Sequence, residues 1–142
     1  MSMMDMVMAL IAVVFFTTIS MVYNRALHMQ TDNLNDATLI VQSTQICHSL
    51  LDEIDAKLFS HQLTFATVTT NYNFTQTRTY PHLGAVYQVQ VVAVDCDTLG
   101  VTLASPPIDN PNKRVTVTVR GPAALRSPVT LQRLYTKTNL HI

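Results

Sequence analysis

The stretch Met1–Leu27, MSMMDMVMALIAVVFFTTISMVYNRAL, decides how the rest of the chain is read. Asp5 is its single acid, and no further charge appears until Arg25. Residues 6–24 form 19 consecutive uncharged positions, mostly Met, Val, Leu, Ile, Ala and Phe. As a helix rising about 1.5 Å per residue, such a run covers roughly 28 Å, about one hydrocarbon core. A secretory signal or a simple anchor normally carries Lys or Arg ahead of its apolar run. Here only a carboxylate precedes it, and no convincing small-residue cleavage site follows Ala9–Ser20. The missing basic leader points to Met1 as the first residue left after a leader has been cut away.

A carboxylate deep in a bilayer costs about 2.5–3.5 kcal/mol on insertion scales, so Asp5 needs a partner or a place near the interface. Two roles fit. Ser2-Met3-Met4-Asp5 matches S-x-x-D ahead of an apolar run, with Ser2 as N-cap and Asp5 at the positive helix end. Alternatively, Asp5 pairs with the terminal amine of Met1 on a neighbouring copy. The sequence permits both together.

The uncharged first four residues, the acidic fifth and the roughly twenty apolar residues that follow resemble mature type IV pilins and their pseudopilin relatives. In that family the leader is removed and the fifth residue is usually Glu. The resemblance implies that Met1 is the processed, N-methylated residue. It also implies that Asp5 neutralises the amine of an adjacent subunit, and that Met3, Met6, Leu10, Val13, Val14 and Phe16 pack in a filament core. Here the fifth residue is Asp, one methylene shorter, and position 1 is Met rather than the commoner Phe. Val22 stands where many pilins carry a helix breaker.

Residues 24–60 hold neither Pro nor Gly. Ala37, Val41, Thr44, Cys47, Leu51, Ile54 and Leu58 recur at steps of three and four, one stripe of an α-helix. Asp32, Asp36, Asp52, Glu53 and Lys57 fall mostly elsewhere. One helix is therefore expected from about residue 2 to about 60, apolar all round at first and amphipathic later. The polar junction near Asn24–Asn35, and Thr17, Thr18 and Ser20, are places where it would bend or loosen. Such a helix would span about 90 Å. That is more than a domain of residues 61–142 can cover, so its front must be buried in a bilayer or among identical helices. The Met-rich start suits adaptable packing in either place.

After His61 the period changes. Lys113–Arg120 alternates Val with Thr, and Ala85–Asp95 places Tyr87, Val89, Val91 and Ala93 on one face. Pro128–Tyr135 is a third expected strand and Leu99–Ala104 a short fourth. Asp95–Gly100 reads as a turn, and residues 106–112, with three prolines, read as a loop. The threonine-rich Thr64–Thr79 reads as an exposed, β-prone connecting segment. The expected fold is α+β: a long N-terminal α-helix whose C-terminal half packs on an antiparallel β-sheet, as in pilins. The expected domains are 1–30, the hydrophobic helix serving as membrane anchor or filament core; 31–60, its amphipathic half; and 61–142, the sheet.

Nine basic and nine acidic residues cancel, and only 13% of residues are charged against 48% apolar, so no field draws in nucleic acid. The five histidines show no HxxxH or HExxH spacing, and the three glycines form no phosphate loop. Asp95-Cys96-Asp97-Thr98-Leu99-Gly100 begins like a calcium loop, but Leu99 stands where an oxygen ligand belongs. No metal, no other cofactor and no enzymatic activity are expected. Cys47 and Cys96 either form a disulfide, closing a loop of about 50 residues for roughly 4 kcal/mol, or stay as two buried thiols. Asn73-Phe74-Thr75 matches a glycosylation acceptor at Asn73.

The family resemblance implies a structural subunit of a type IV pilus-like extracellular filament, held in the inner membrane before assembly. Its implied partners are identical subunits and the pilus assembly machinery. The alternatives are a minor pilin or secretion-system pseudopilin, and a monomeric membrane-anchored periplasmic binding domain.

Overall fold

A computed structural model describes residues 2–80, 85–107, 109–122 and 125–140. The chain divides into two compact units, Met1–Ala37 and Thr38–Ile142. The first is helical throughout its described part. It belongs to α1, Met3–Phe59, which runs on into the second unit. The absence of Gly and Pro before Pro81 is what lets one helix run so far.

α1 ends without Gly or Pro. His61 takes the left-handed conformation (φ 56°) normally given to Gly at this place. Around it the last carbonyls are satisfied: Ser60 N donates to Ala56 O, His61 N to Leu58 O and Leu63 N to Lys57 O. Lys57 lies in the final turn, where a cation meets the negative helix end.

A 3-10 turn, Phe65–Thr67, and a single turn α2, Val68–Asn71, follow α1. Four strands come next: β1 Phe74–Tyr80, β2 Ala85–Asp95, β3 Asn112–Arg120 and β4 Val129–Thr136. They pair antiparallel in chain order, and a second 3-10 turn, Lys137–Leu140, follows β4. In register, Phe74, Val91, Val117 and Leu131 form one inward row, and Val89, Val119 and Val129 another. Within the second unit the rear of α1 covers this apolar face, so the expected α+β arrangement is present.

The helix face differs from the expected stripe in its upper half. Cys47, Leu51, Ile54 and Leu58 are buried, but Ala37 and Val41 are exposed, and Ser43, Ile46 and Leu50 are buried as well. A sheet of four strands is wider than one helical row, so two adjacent rows are buried from Ser43 to Leu58, and Leu39 packs half-buried just before them. Polar ties fix the contact. Tyr87 donates to Gln42 Oε1 (2.7 Å), Tyr135 donates to the Leu51 carbonyl (3.3 Å), and Arg133 donates to Asp52 (3.0 Å) and to Asp55.

Two expected elements need correction. Leu99–Ala104 is not a strand; it is joined only by a bridge between Cys96 and Thr102. Arg114 holds it instead, donating to the Gly100 carbonyl (2.6 Å) and to Thr102 Oγ1 (2.8 Å). The β-prone end of the segment Thr64–Thr79 is not a connection but most of β1. Its inward positions Phe74, Arg78 and Tyr80 are only half-buried and Gln76 is exposed, so an edge strand left no apolar alternation to read. The turn after β2 is as expected. Asp97 Oδ1 accepts from Leu99 N (2.9 Å) and Val101 N (2.7 Å), and Gly100 sits at φ 82°.

Of the two expectations for the cysteines, the structure has the buried thiols and not the disulfide: Cys47 and Cys96 are both free and buried. Cys47 Sγ lies against the carbonyls of Val117 (3.8 Å) and Val129 (3.9 Å), whereas Cys96 N bonds to the Asn112 carbonyl. Those β3 positions are five residues apart, about 17 Å at 3.4 Å per residue. A disulfide needs Cα atoms within about 7 Å.

At that end Lys113, 5% exposed, is neutralised by Asp95 across the β2–β3 ladder (2.8 Å), and its ammonium lies 5.5 Å from the Phe65 ring centre. A buried cation is tolerable because both contacts compensate its lost hydration.

Ser43 Oγ, by contrast, is buried with no hydrogen-bond partner among the described residues. Ser43→Ala removes that cost and improves helix propensity, so urea midpoints should rise with stability higher by about 1 kcal/mol; a fall would show that the hydroxyl is satisfied. Burial pushes the Cys47 thiol from its usual 9.0 up to about 11, and burial, followed by the adjacent Asp55 carboxylate, raises the Tyr135 phenol as well. Between pH 9 and 11 the unfolded chain has lost the Cys47 proton that the folded chain keeps. Stability must therefore fall as pH rises through that window. Thermal melts should show the decline, with a shallower slope in Cys47→Ala.

Candidate functional site: the amino-terminal apolar helix

The Ser2–Asp5 motif forms its cap in both directions. Ser2 N donates to Asp5 Oδ2 at 3.0 Å, and Asp5 N reaches Ser2 Oγ at 3.4 Å. The Ser2 carbonyl starts the helical ladder, accepting from Asp5 N (3.0 Å) and Met6 N (3.4 Å). Each side chain thus satisfies an amide that a helix start would leave unpaired. The carboxylate also lies where the helix dipole favours negative charge. Met1, whose amine the second role of Asp5 requires, lies outside the described residues.

Behind the cap the large apolar side chains are exposed. Met3, Met6, Leu10, Val13, Val14 and Phe16 are all more than half exposed, from 57% at Val14 to 87% at Met3. The same holds for Ile11, Phe15, Ile19, Val22 and Tyr23 around the helix. By length and composition α1 holds a segment able to cross a membrane. Its polar atoms are turned back on the backbone. Thr17 Oγ1 donates to the Val13 carbonyl and Thr18 Oγ1 to the Val14 carbonyl (2.8 Å), as Thr31 does to Leu27 (3.1 Å). An exposed apolar surface whose Thr17 and Thr18 hydroxyls are satisfied on the helix itself is one that hydrocarbon, of lipid or of protein, can enclose without stranding those groups.

The other candidate residues belong to the second unit. Cys47 and Cys96 belong to its core. Asn73 is tied at both ends of its amide. Nδ2 donates to the carbonyls of Thr69 (2.5 Å) and Ala93 (3.1 Å), and Oδ1 accepts from Ala93 N (3.0 Å). It thereby joins α2 to the edge of β2, and a sugar on Nδ2 would displace one of those bonds. No group of three or more His, Cys, Asp or Glu among the described residues is placed to hold a metal ion. What sequence reasoning missed here is this clamp, for which the sequence offers no signal beyond Asn beside a strand.

No protein-family model matches the chain, and no curated protein or solved structure matches it either.

Removing the clamp leaves the Ala93 amide and carbonyl unpaired. Asn73→Ala should lower stability by about 1–3 kcal/mol in chemical denaturation. Asn73→Asp, which keeps the acceptor, should lower it less.

Proposed function

We propose that the chain is a structural subunit of a type IV pilus-like extracellular filament, polymerising through its N-terminal hydrophobic helix. Before assembly it resides in the inner membrane, and afterwards in a filament at the cell surface. The observation that carries this reading is an all-round apolar helix surface over residues 3–23, exposed on every side and headed by one acid at position five. Each Å² of that surface removed from water contributes about 25 cal/mol. Lipid serves before assembly and sister helices serve after it, so the same segment acts as anchor and as core. Asp5 then sets axial position. A buried terminal amine left alone costs several kcal/mol, and the carboxylate of a neighbour offsets it at one stagger only.

A second reading has its own support in the Ser2–Asp5 cap. That cap satisfies the acid within one chain, as a monomeric membrane-anchored domain would need. One pair of variants separates the two. Under the filament reading, Asp5→Ala abolishes or cripples filaments seen by electron microscopy while the chain still inserts in membranes. Ser2→Ala, which breaks only the cap at about 0.5–2 kcal/mol, leaves filaments abundant. If neither variant nor the wild type yields filaments, the anchor reading stands. If both variants assemble normally, Asp5 has no pairing role.

A further inference from the structure

The second unit carries a surface cleft of about 410 Å³ where the end of α1, the following turn and β1 meet. Glu53, Lys57, Gln62, Asn71, Phe74 and Arg78 line it, with Leu63 and Tyr72 in its floor. Its volume falls in the range of small-molecule sites, about 300–1,000 Å³. Nothing in the proposed assembly uses it.

Its chemistry is specific. Lys57 is already matched by Glu53 Oε1 at 2.6 Å, and its ammonium lies 5.8 Å from the Tyr72 ring centre. Arg78 spends only Nε, on Gln76 Oε1 (3.3 Å), and its two terminal nitrogens donate to nothing among the described residues. Two cations and one carboxylate leave a single net positive charge, suited to a monoanion. The free end of Arg78 is a planar fork that fits a carboxylate. The carboxamides of Gln62 and Asn71, and the second oxygen of Glu53, offer donors and acceptors side by side. Hydroxyl groups, which both donate and accept, are what such a mixture satisfies. Phe74, half-buried and tilted against Tyr72 at 6.3 Å between ring centres, presents an apolar surface beside them.

We propose that this cleft binds an acidic sugar, a hexuronic acid residue whose carboxylate is held by Arg78 and whose ring rests on Phe74. Gln62, Asn71 and Glu53 take the ring hydroxyls. A phosphate dianion is disfavoured because Glu53 already faces the site. An open cleft of this kind admits a residue within a longer polysaccharide as readily as a free monosaccharide. The proposal is independent of whether the chain polymerises.

The test is a titration of the full chain in detergent micelles, followed by amide NMR, with sodium D-glucuronate, D-glucose and sodium acetate. Glucuronate should produce saturable shifts at Gln62 and from Asn71 to Arg78, with a dissociation constant on the order of millimolar. Glucose and acetate should each bind at least about tenfold more weakly, since each supplies one half of the contacts. Arg78→Gln should weaken glucuronate by about tenfold or more. Gln62→Ala should weaken it several-fold, and Arg120→Gln, on the opposite sheet face, should leave it unchanged. Should Arg78→Gln lose its folded spectrum, Gln62→Ala decides. The proposal is overturned by an absence of saturable shifts, by acetate reproducing those of glucuronate at equal concentration, or by wild-type affinity in both cleft variants.

Discussion

The structure turns on one constraint: the first twenty or so residues of α1 present apolar side chains in every direction, and the large ones are exposed. A soluble helix resolves this by keeping one polar face. This one does not, because from Met6 to Asn24 no charged residue is available to make such a face. Water is therefore the wrong solvent for the segment, and whatever encloses it must approach from all sides. A bilayer does so, and so does a bundle of identical helices. Asp5 is compatible with both because the cap keeps its charge at the very end of the run.

The second unit solves a different problem. Its sheet has one apolar face, and Ile46, Cys47, Leu50, Leu51, Ile54 and Leu58 cover it. Neither part is self-sufficient: the sheet alone would expose its valines, and the helix alone its leucines. Packing is supplemented at the edges by polar ties of unequal worth. Tyr135 and Asn73 bind backbone groups in half-buried or buried settings, where an orphaned partner costs most. The Arg133 link to Asp52, whose carboxylate is largely exposed, contributes little by comparison.

The cleft beside Lys57 depends on the same junction. Its lining comes from the end of α1 (Glu53 and Lys57), the segment after it (Gln62 and Leu63), the end of α2 (Asn71 and Tyr72) and β1 (Phe74 and Arg78). These segments meet because α1 ends at Phe59 and the chain doubles back. The left-handed His61 lies just past α1, between the helix that carries Glu53 and Lys57 and the strand that carries Arg78.

Much of this was legible in the residues. The uncharged run at the front, the S-x-x-D cap, the Val/Thr alternation of β3 and the single-face pattern of β2 each carry a local periodicity or a local pair, and local rules apply to them wherever they fold. What could not be read was whatever depends on neighbours far along the chain. β1 has no hydrophobic period because it is an edge, and its edge position is decided by the order of the whole sheet. Ile46 and Leu50 are buried because four strands are wider than one helical row, a width no helical wheel contains. Cys47 and Cys96 are both buried, as their type predicts, yet lie at different places along β3, so no bond joins them. The sequence determined which segments are helix and strand and which surface cannot face water, since those follow from the chemistry of adjacent residues. The tertiary structure alone decided which side chains meet, because that depends on the register and breadth of elements brought together from distant parts of the chain.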